Sequence, residues 1–221
     1  MSKIVDLSHV IEPGKTGRKF ALEMIGADSV NPNVVRLEKQ WYIMHNISMV
    51  SHIGTHIEAP YHLLKDQDDL ADLPLEKLMG PAVILDFKGY PKKSAIQIEH
   101  AKKAADKAGG IRKGDIVFAN LGYAPFYGTD EYSGTPYFLP ETIAWLADQG
   151  MKMMGVDATG VEVPGSEQHV SHHALFDRGI PLIENLNNLN GLSKPRVQVF
   201  AFPIAVRGLE SFPVRVVALE D

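Results

Sequence analysis

The stretch SHIGTHIEAPYH, residues 51–62, concentrates side chains that can bind a metal ion or move a proton: His52, His56, Glu58 and His62. All four positions have even numbers, so an extended chain would place them on one face. Two histidines four residues apart on a straight strand lie about 13 Å apart at Cα, the outer limit for sharing one ion. The chain can bend at Gly54, because glycine reaches conformations that other residues avoid. The stretch therefore predicts half of a metal site; a crowded surface loop is the alternative.

A second group lies in GSEQHVSHHALFDRGIPLIENL, residues 165–186, which contains His169, His172, His173 and Glu184. The pattern predicts a short helix that begins at His172, with Ser171 as its N-cap, and ends near Gly179. Glu184 follows the apolar pair Leu182 and Ile183, where an unpaired carboxylate would be costly to bury. Two such groups together favour a metal site over a polar helix start with a solvated glutamate.

Composition limits the chemistry that is available. The chain has no cysteine, so disulfides, a thiol nucleophile and thiolate-bound metals are excluded. A formal net charge of -5 without a basic patch argues against a nucleic-acid partner. No apolar run approaches the roughly 20 residues that span a bilayer, and the first residues lack a secretory signal pattern. We therefore expect a soluble, cytoplasmic protein that acts on a small molecule and has no membrane partner.

The elements that must position these residues are strands mixed with helices. Short apolar runs bounded by turn residues predict strands at Lys3 to Ser8, Val83 to Phe87, Asp115 to Asn120, Lys152 to Asp157, Pro181 to Ile183, Val197 to Val206 and Val214 to Leu219. Helices are predicted from Ser94 to Ala108 and from Pro140 to Ala147, and a further pair of strands within Asn33 to Ser51. The mixture predicts an α/β or α+β class in a single domain, residues 1–221, with a mixed sheet and flanking helices.

Aromatic residues near the candidate site could form the walls of a substrate pocket. Trp41 precedes the first histidine group, and NLGYAPFYGTDEY supplies Tyr123, Phe126 and Tyr127. These side chains could stack on a planar ring, but core packing or subunit contacts would use the same residue types.

The two motifs resemble the cyclase-like metal-dependent hydrolase family, which includes bacterial kynurenine formamidases and isatin hydrolases. The family pattern HxGTHxDxPxH corresponds to residues 52–62, and HHALFDRGIPLIENL contains the later histidine and glutamate, with His172 twelve residues before Glu184. The opening IVDLSHVIEPG and the segment GVDATGVEVPG extend the likeness over most of the chain.

This resemblance implies a swivelling β/β/α-like fold, a homo-oligomer and a centre of one or two divalent ions, Zn²⁺ or Mn²⁺. By position, His52, His56 and Glu58 would hold the first ion and His172 a second. Glu184 would bind one or both, and His62 would be the general acid/base. The implied reaction is hydrolysis of a non-peptide C–N bond, in an aryl formamide or a cyclic amide, by water that the metal activates.

Two departures from the family pattern leave alternatives open. Glu58 stands where the family usually has aspartate, and its extra methylene alters how the carboxylate could bridge two ions. The region IEPGKTGRKF lacks the tryptophan with which kynurenine formamidases line an aromatic pocket, which argues against formylkynurenine as substrate. The alternatives are a hydrolase of another small cyclic substrate, such as a lactone or imide, and a non-catalytic metal-binding or ligand-binding module.

Overall fold

The computed structural model describes residues 2–35, 37–163 and 165–220. Within these ranges the strands are β1 Lys3–Asp6, β2 Phe20–Gly26, β3 Ile43–Met49, β4 His56–Glu58, β5 Met79–Asp86, β6 Ala95–Ile96, β7 Ile116–Asn120, β8 Tyr137–Phe138, β9 Met153–Val156, β10 Leu182–Glu184, β11 Arg196–Phe200, β12 Ser211–Pro213 and β13 Val217–Glu220. The α-helices in the same ranges are α1 Ile98–Lys107, α2 Pro140–Asp148 and α3 Val170–Phe176.

One mixed sheet organises the molecule, with the strand order β1-β13-β11-β5-β7-β9-β10-β4-β12. Strands β5, β7, β9 and β10 run parallel, and antiparallel strands flank them on both sides. Every residue of β7 and β9 is buried, which is why these strands read as continuous apolar runs. The predicted α/β class with a mixed sheet and flanking helices is confirmed.

The hydrophobic core lies on both faces of this sheet. On one face, α1, α2 and α3 contribute Ala101, Ala104, Ile143, Leu146 and Phe176 against alternate residues of β5, β7 and β9. On the other face, the remaining residues of those strands pack with Val5, Leu7, Val197 and Ala218 from the antiparallel strands. Since strands of the same sheet meet in this second cluster, the sheet is curled.

Several predicted elements differ from the structure. The strand predicted to reach Val206 ends at Phe200, and Ile204 beyond it is exposed. Of the strand pair predicted within Asn33 to Ser51, the described residues of that range form one strand, β3, and its partner is β2, so the predicted pairing is wrong. Ser171 is not the N-cap of α3: His169 holds that position at φ 47°, and the Ser171 hydroxyl donates to the Phe138 carbonyl instead.

No helix in the described ranges is both long enough and apolar enough to cross a membrane.

Candidate metal centre

Two neighbouring strands bring the two predicted groups together. Strand β4 pairs antiparallel with β10, so that Glu184 lies opposite His56 and Leu182 lies opposite Glu58. Directly opposed residues project from the same face of a sheet, so His56, Glu58 and Glu184 share one side. The chain bends at Gly54, at φ 64°, as the sequence predicts. This bend returns His52 to the same side, and α3 supplies His172.

The five side chains converge on a shared space. His52 Nδ1 lies 2.8 Å from Glu58 Oε1, and His56 Nε2 lies 3.6 Å from the same oxygen. His172 Nε2 lies 3.6 Å from both Glu58 Oε2 and Glu184 Oε1, while Glu184 Oε2 lies 3.4 Å from His56 Nε2. Two overlapping sets of potential ligands result: His52, His56 and Glu58, and Glu58, His172 and Glu184. Glu58 belongs to both sets.

Each histidine also has an acceptor on its outward side. His56 Nδ1 lies 2.9 Å from the Gly54 carbonyl, which cannot donate a hydrogen bond, so Nδ1 carries the proton and Nε2 faces the shared space. His172 Nδ1 lies 3.2 Å from Glu162 Oε1, and His52 Nε2 lies 3.4 Å from Glu210 Oε1. Metal-binding histidines commonly show this arrangement, with one ring nitrogen toward the ion and the other held by an acceptor.

The buried polar atoms of the cluster fit a bound cation. His56 Nε2 and Glu58 Oε2 are buried and, within the described residues, have no hydrogen-bond partner. Buried polar atoms are rarely left in that state, because the loss of hydration is costly. Imidazole nitrogens and carboxylate oxygens are donors that suit Zn²⁺ and Mn²⁺. The residues present therefore fit a divalent metal centre.

The pKa values of the cluster show how strongly it attracts positive charge. Burial lowers the pKa of His56, but the nearby carboxylates of Glu184 and Glu58 outweigh burial and raise it to about 10. Burial also lowers the pKa of His172, but its hydrogen bond to Glu162 and the nearby carboxylates of Glu184 and Glu58 outweigh burial and raise it to about 10. Burial acts to raise the pKa of Glu58, but its histidine neighbours hold it far below its ordinary value. A divalent ion would replace the protons that the cluster otherwise retains.

His62 lies at the edge of this cluster. It ends a 3₁₀ turn, Pro60–His62, and its ring centroid is 4.6 Å from that of His52 and 6.3 Å from that of Phe176. Burial lowers the pKa of the His62 imidazole, although Glu58 opposes the effect, so the ring is neutral at pH 7. The ring faces an open cavity of about 350 Å³ that Lys65 and Glu210 also line.

A second cavity, of about 340 Å³, opens on the other side of His52. His52, His56 and Glu184 form its inner end, and its outer wall includes Thr16, Arg18, Tyr127, Asp130 and Ser133. Arg18 is the one Lys or Arg side chain among the described residues that line it, and it forms no ion pair with the carboxylates in the described ranges. This cavity has room for a single-ring substrate next to the candidate ligands.

The four predicted aromatic residues lie in different places. Tyr127 lines the 340 Å³ cavity and stacks on His9, with ring centroids 4.0 Å apart. Tyr123 is buried in the core and contacts Phe126 at 5.9 Å, and neither lines that cavity. Trp41 is 79% exposed and does not line it either. His173, the neighbour of His172, faces Asp177 on the surface.

Sequence reasoning missed four residues that support the site: Tyr132, Glu162, Asn185 and Glu210. Asn185 donates through Nδ2 to the Gly54 carbonyl, and its Oδ1 accepts from the Tyr132 hydroxyl. Two of these residues could have been found from their neighbours in sequence: Asn185 directly follows Glu184, and Glu162 lies within GVDATGVEVPG. Tyr132 is the last residue of NLGYAPFYGTDEY, whose other aromatic residues were selected, whereas Glu210 carries no local signal and only the fold brings it near the histidines.

The chain belongs to the Cyclase family, whose model matches residues 5–163. It is 32% identical over 174 residues to a kynurenine formamidase of Salinibacter ruber (strain DSM 13855 / M31), covering 78% of this chain and 77% of the relative. A kynurenine formamidase of Bordetella petrii is 29% identical over 174 residues, covering 79% of each chain. The resemblance inferred from the motifs is confirmed.

The fold also matches a solved structure, isatin hydrolase A from Labrenzia aggregata bound to benzyl benzoate. The TM-score is 0.83 at 23% identity, covering 99% of this chain and 94% of that one. Together, the family and the cluster of histidines and glutamates define a metal-dependent hydrolase with a divalent metal centre.

Proposed function

We propose that this protein hydrolyses a non-peptide C–N bond in a small aryl amide or cyclic amide, with His62 as the general acid/base. The observation that carries the proposal is the convergence of three imidazoles and two carboxylates beside a neutral histidine. The kynurenine formamidases and the isatin hydrolase to which the chain is similar support this reaction class.

We infer two ions, Zn²⁺ or Mn²⁺, held by His52, His56, Glu58, His172 and Glu184. Glu58 turns Oε1 toward His52 and His56 and Oε2 toward His172, and Glu184 divides its oxygens between His56 and His172 in the same way. Each carboxylate thus has one oxygen near His56 and the other near His172, which supports the proposal of two ions. The bound metal would polarise the substrate carbonyl and lower the pKa of a water molecule to roughly 7.

His62 supplies the proton transfers in this proposal. Its neutral imidazole can accept a proton from the attacking water and return it to the departing nitrogen. The amide nitrogen is a poor leaving group without that proton. His62 is in ring contact with His52, which lines the 340 Å³ cavity, so one imidazole separates the proposed proton carrier from the proposed substrate space.

The substrate we propose carries an acidic group, because its cavity is polar and contains Arg18, which pairs with no carboxylate among the described residues. Thr16 and Arg18 lie on the cavity wall and belong to the region in which kynurenine formamidases have tryptophan. A guanidinium without a carboxylate partner is suited to bind a substrate carboxylate. An N-formyl arylamine with an acidic substituent, or a cyclic amide with one, fits this wall.

We also propose a homo-oligomer that uses one face of the β2–β3 ribbon. On that face Leu22 lies opposite Ile47, and both are exposed, as is Met24 next to them. The opposite face carries Glu23 and Asn46. An isolated two-stranded ribbon is only marginally stable in water, so a second copy packed on the apolar face would support it. A cytoplasmic location stays a prediction.

A substrate panel tests the reaction class. Protein purified without an affinity tag is loaded with Zn²⁺ or Mn²⁺ and assayed on N-formylaniline, N-formylanthranilate, isatin, a cyclic imide and a lactone, with chelator-treated protein as the control. We expect metal-dependent hydrolysis of an amide substrate, with kcat/KM higher for N-formylanthranilate than for N-formylaniline. Hydrolysis of the lactone alone would contradict C–N specificity. Failure of every substrate would contradict the proposed function.

The role of Arg18 has its own comparison within this panel. Arg18→Ala should raise KM for N-formylanthranilate and leave N-formylaniline nearly unchanged. Lys19→Ala, which removes a neighbouring cation outside the cavity lining, is the matched control and should affect neither substrate. An equal rise in KM for both substrates in Arg18→Ala would show that Arg18 does not bind the acidic group.

A further inference from the structure

We propose that Glu162 and Glu210 are positioning residues that separately set the affinity of the two metal subsites, Glu162 through His172 and Glu210 through His52. The inference rests on the proposed metal centre. It adds two carboxylates that bind no ion themselves but fix the orientation and tautomer of a ligand. Outer acceptors of this kind typically contribute 10- to 100-fold to metal affinity.

Glu162 holds His172 at two points. Its Oε1 accepts from the His172 backbone N–H at 2.7 Å and lies 3.2 Å from Nδ1 of the same residue. The ring therefore presents Nε2 to Glu58 and Glu184. Both contacts use the same carboxylate oxygen, so Glu162 fixes the His172 backbone and ring together. An anionic acceptor also makes the imidazole a stronger ligand.

Glu210, near the C-terminal end of the sequence, is the corresponding outer acceptor for His52. Its Oε1 lies 3.4 Å from His52 Nε2 and accepts a hydrogen bond from the Ser51 hydroxyl. With an ion bound at Nδ1, which faces Glu58 Oε1, the His52 proton would lie on Nε2, the nitrogen that faces Glu210. Glu210 directly precedes β12, which pairs with β4, so the sheet holds this carboxylate beside the ligand segment.

The two subsites should not lose equal metal affinity when their outer carboxylates are removed. The His52 subsite also contains His56, whose Nδ1 is held by the Gly54 carbonyl and does not depend on any outer carboxylate. The second subsite has His172 as its one imidazole among the described ligands. Loss of the Glu162 charge should therefore lower zinc affinity at the second subsite by the larger factor, about 100-fold. Loss of the Glu210 charge should lower zinc affinity at the His52 subsite by about 10-fold.

Equilibrium zinc binding tests this assignment without relying on activity. Metal-free full-length protein is titrated with Zn²⁺ in competition with a chromophoric chelator, and the wild type should bind two ions. His172→Ala identifies the step that belongs to the second subsite. Glu162→Gln should weaken that step and Glu210→Gln the other. Glu99→Gln, at an exposed carboxylate paired with Lys102, is the control and should change neither.

A purely structural role would give a different result. Gln retains an oxygen that can accept from the His172 N–H, so metal-free Glu162→Gln should keep the wild-type circular dichroism spectrum while its zinc affinity falls. Wild-type affinities in both variants, weakening of the same step by both, or a single zinc site in the wild type would overturn the inference. If the assigned pattern appears but no amide is hydrolysed, the inference stands and the proposed function fails.

Discussion

Adjacent histidines in this chain differ in what surrounds them, and that difference decides their chemistry. His172 is buried with its two ring nitrogens between Glu162 and the shared carboxylates, whereas His173 faces Asp177 at the surface. Spacing to Glu184 selects His172 from the sequence, and the geometry agrees. Glu58 illustrates the opposite case, because the sequence leaves its bridging role open and the separate directions of its two oxygens support it.

His62 gives the first prediction at the scale of single residues. His62→Ala should bind zinc as the wild type does but lose about 10²- to 10⁴-fold in kcat, because a general acid/base contributes that much. Metal content and kcat are measured on the same preparation. His173→Ala is the control and should retain both. Unchanged turnover in His62→Ala would remove His62 from the mechanism.

Gly160 gives a second prediction, because a side chain there would meet a ligand. At φ 137°, a Cβ would lie 2.8 Å from Glu184 Oε1. Gly160→Ala should therefore displace the Glu184 carboxylate and lower zinc affinity by about tenfold or more, as a loss of support to a ligand does. Gly80→Ala is a matched control at φ 135°, where the Cβ would meet only the flexible end of Lys152. Equal zinc affinities in both variants would show that Gly160 does not restrain Glu184.

At the scale of elements, short strands position more of the candidate site residues than long strands do. Strand β4 has three residues, yet it pairs with β10 on one side and β12 on the other. These pairings bring Glu184 and Glu210 to the histidines. The loop before β12 is tied to the rest of the fold by Asp69, whose carboxylate accepts from the Gly208 and Ala71 N–H groups at 2.6 and 2.8 Å.

The hydrogen bonds that the Asp69 carboxylate accepts depend on pH, because the carboxylate can be protonated. The hydrogen bond from Gly208 lowers the pKa of Asp69 below its ordinary value of 3.8, with further help from Ala71, Asp72 and Arg207. Its stabilising effect is therefore present above about pH 3.8 and is lost as the pH falls through the lower, folded-state pKa.

Asp69→Asn should be less stable than the wild type by about 1 kcal/mol at pH 7, and the difference should narrow below pH 3.8. Denaturant unfolding at pH 7 and pH 3 measures it. Asp66→Asn, at an exposed position of the same loop, should match the wild type at both pH values. If the difference in the free energy of unfolding is the same at both pH values, the effect comes from packing and not from the Asp69 charge.

At the scale of the whole molecule, the β2–β3 ribbon lies outside the nine-stranded sheet, as the two-residue strands β6 and β8 do. Leu22→Glu with Ile47→Glu should shift the mass measured by light scattering from an oligomer to the monomer, because charges would replace the apolar face. Glu23→Lys on the opposite face should leave the oligomer intact. A monomeric wild type at micromolar concentration would contradict the proposed oligomer.

The amino-acid sequence alone determined which atoms are available for chemistry and where the chain could bend. The absence of cysteine left imidazole and carboxylate as the strong metal donors, and Gly54 allowed the turn between His52 and His56. Apolar runs located most of the buried strands as well. These are local properties, set by residue type and by the conformations each residue can adopt.

Only the tertiary structure decided which residues meet. The register that places Glu184 opposite His56, and the approach of Glu210 to His52, join segments more than 100 residues apart. Such contacts leave no periodic pattern, because they depend on how distant strands pair and not on local preference. For the same reason, Trp41 lies exposed although it is close to the first histidine group in sequence. Arg18 lines the cavity although it is farther from that group in sequence.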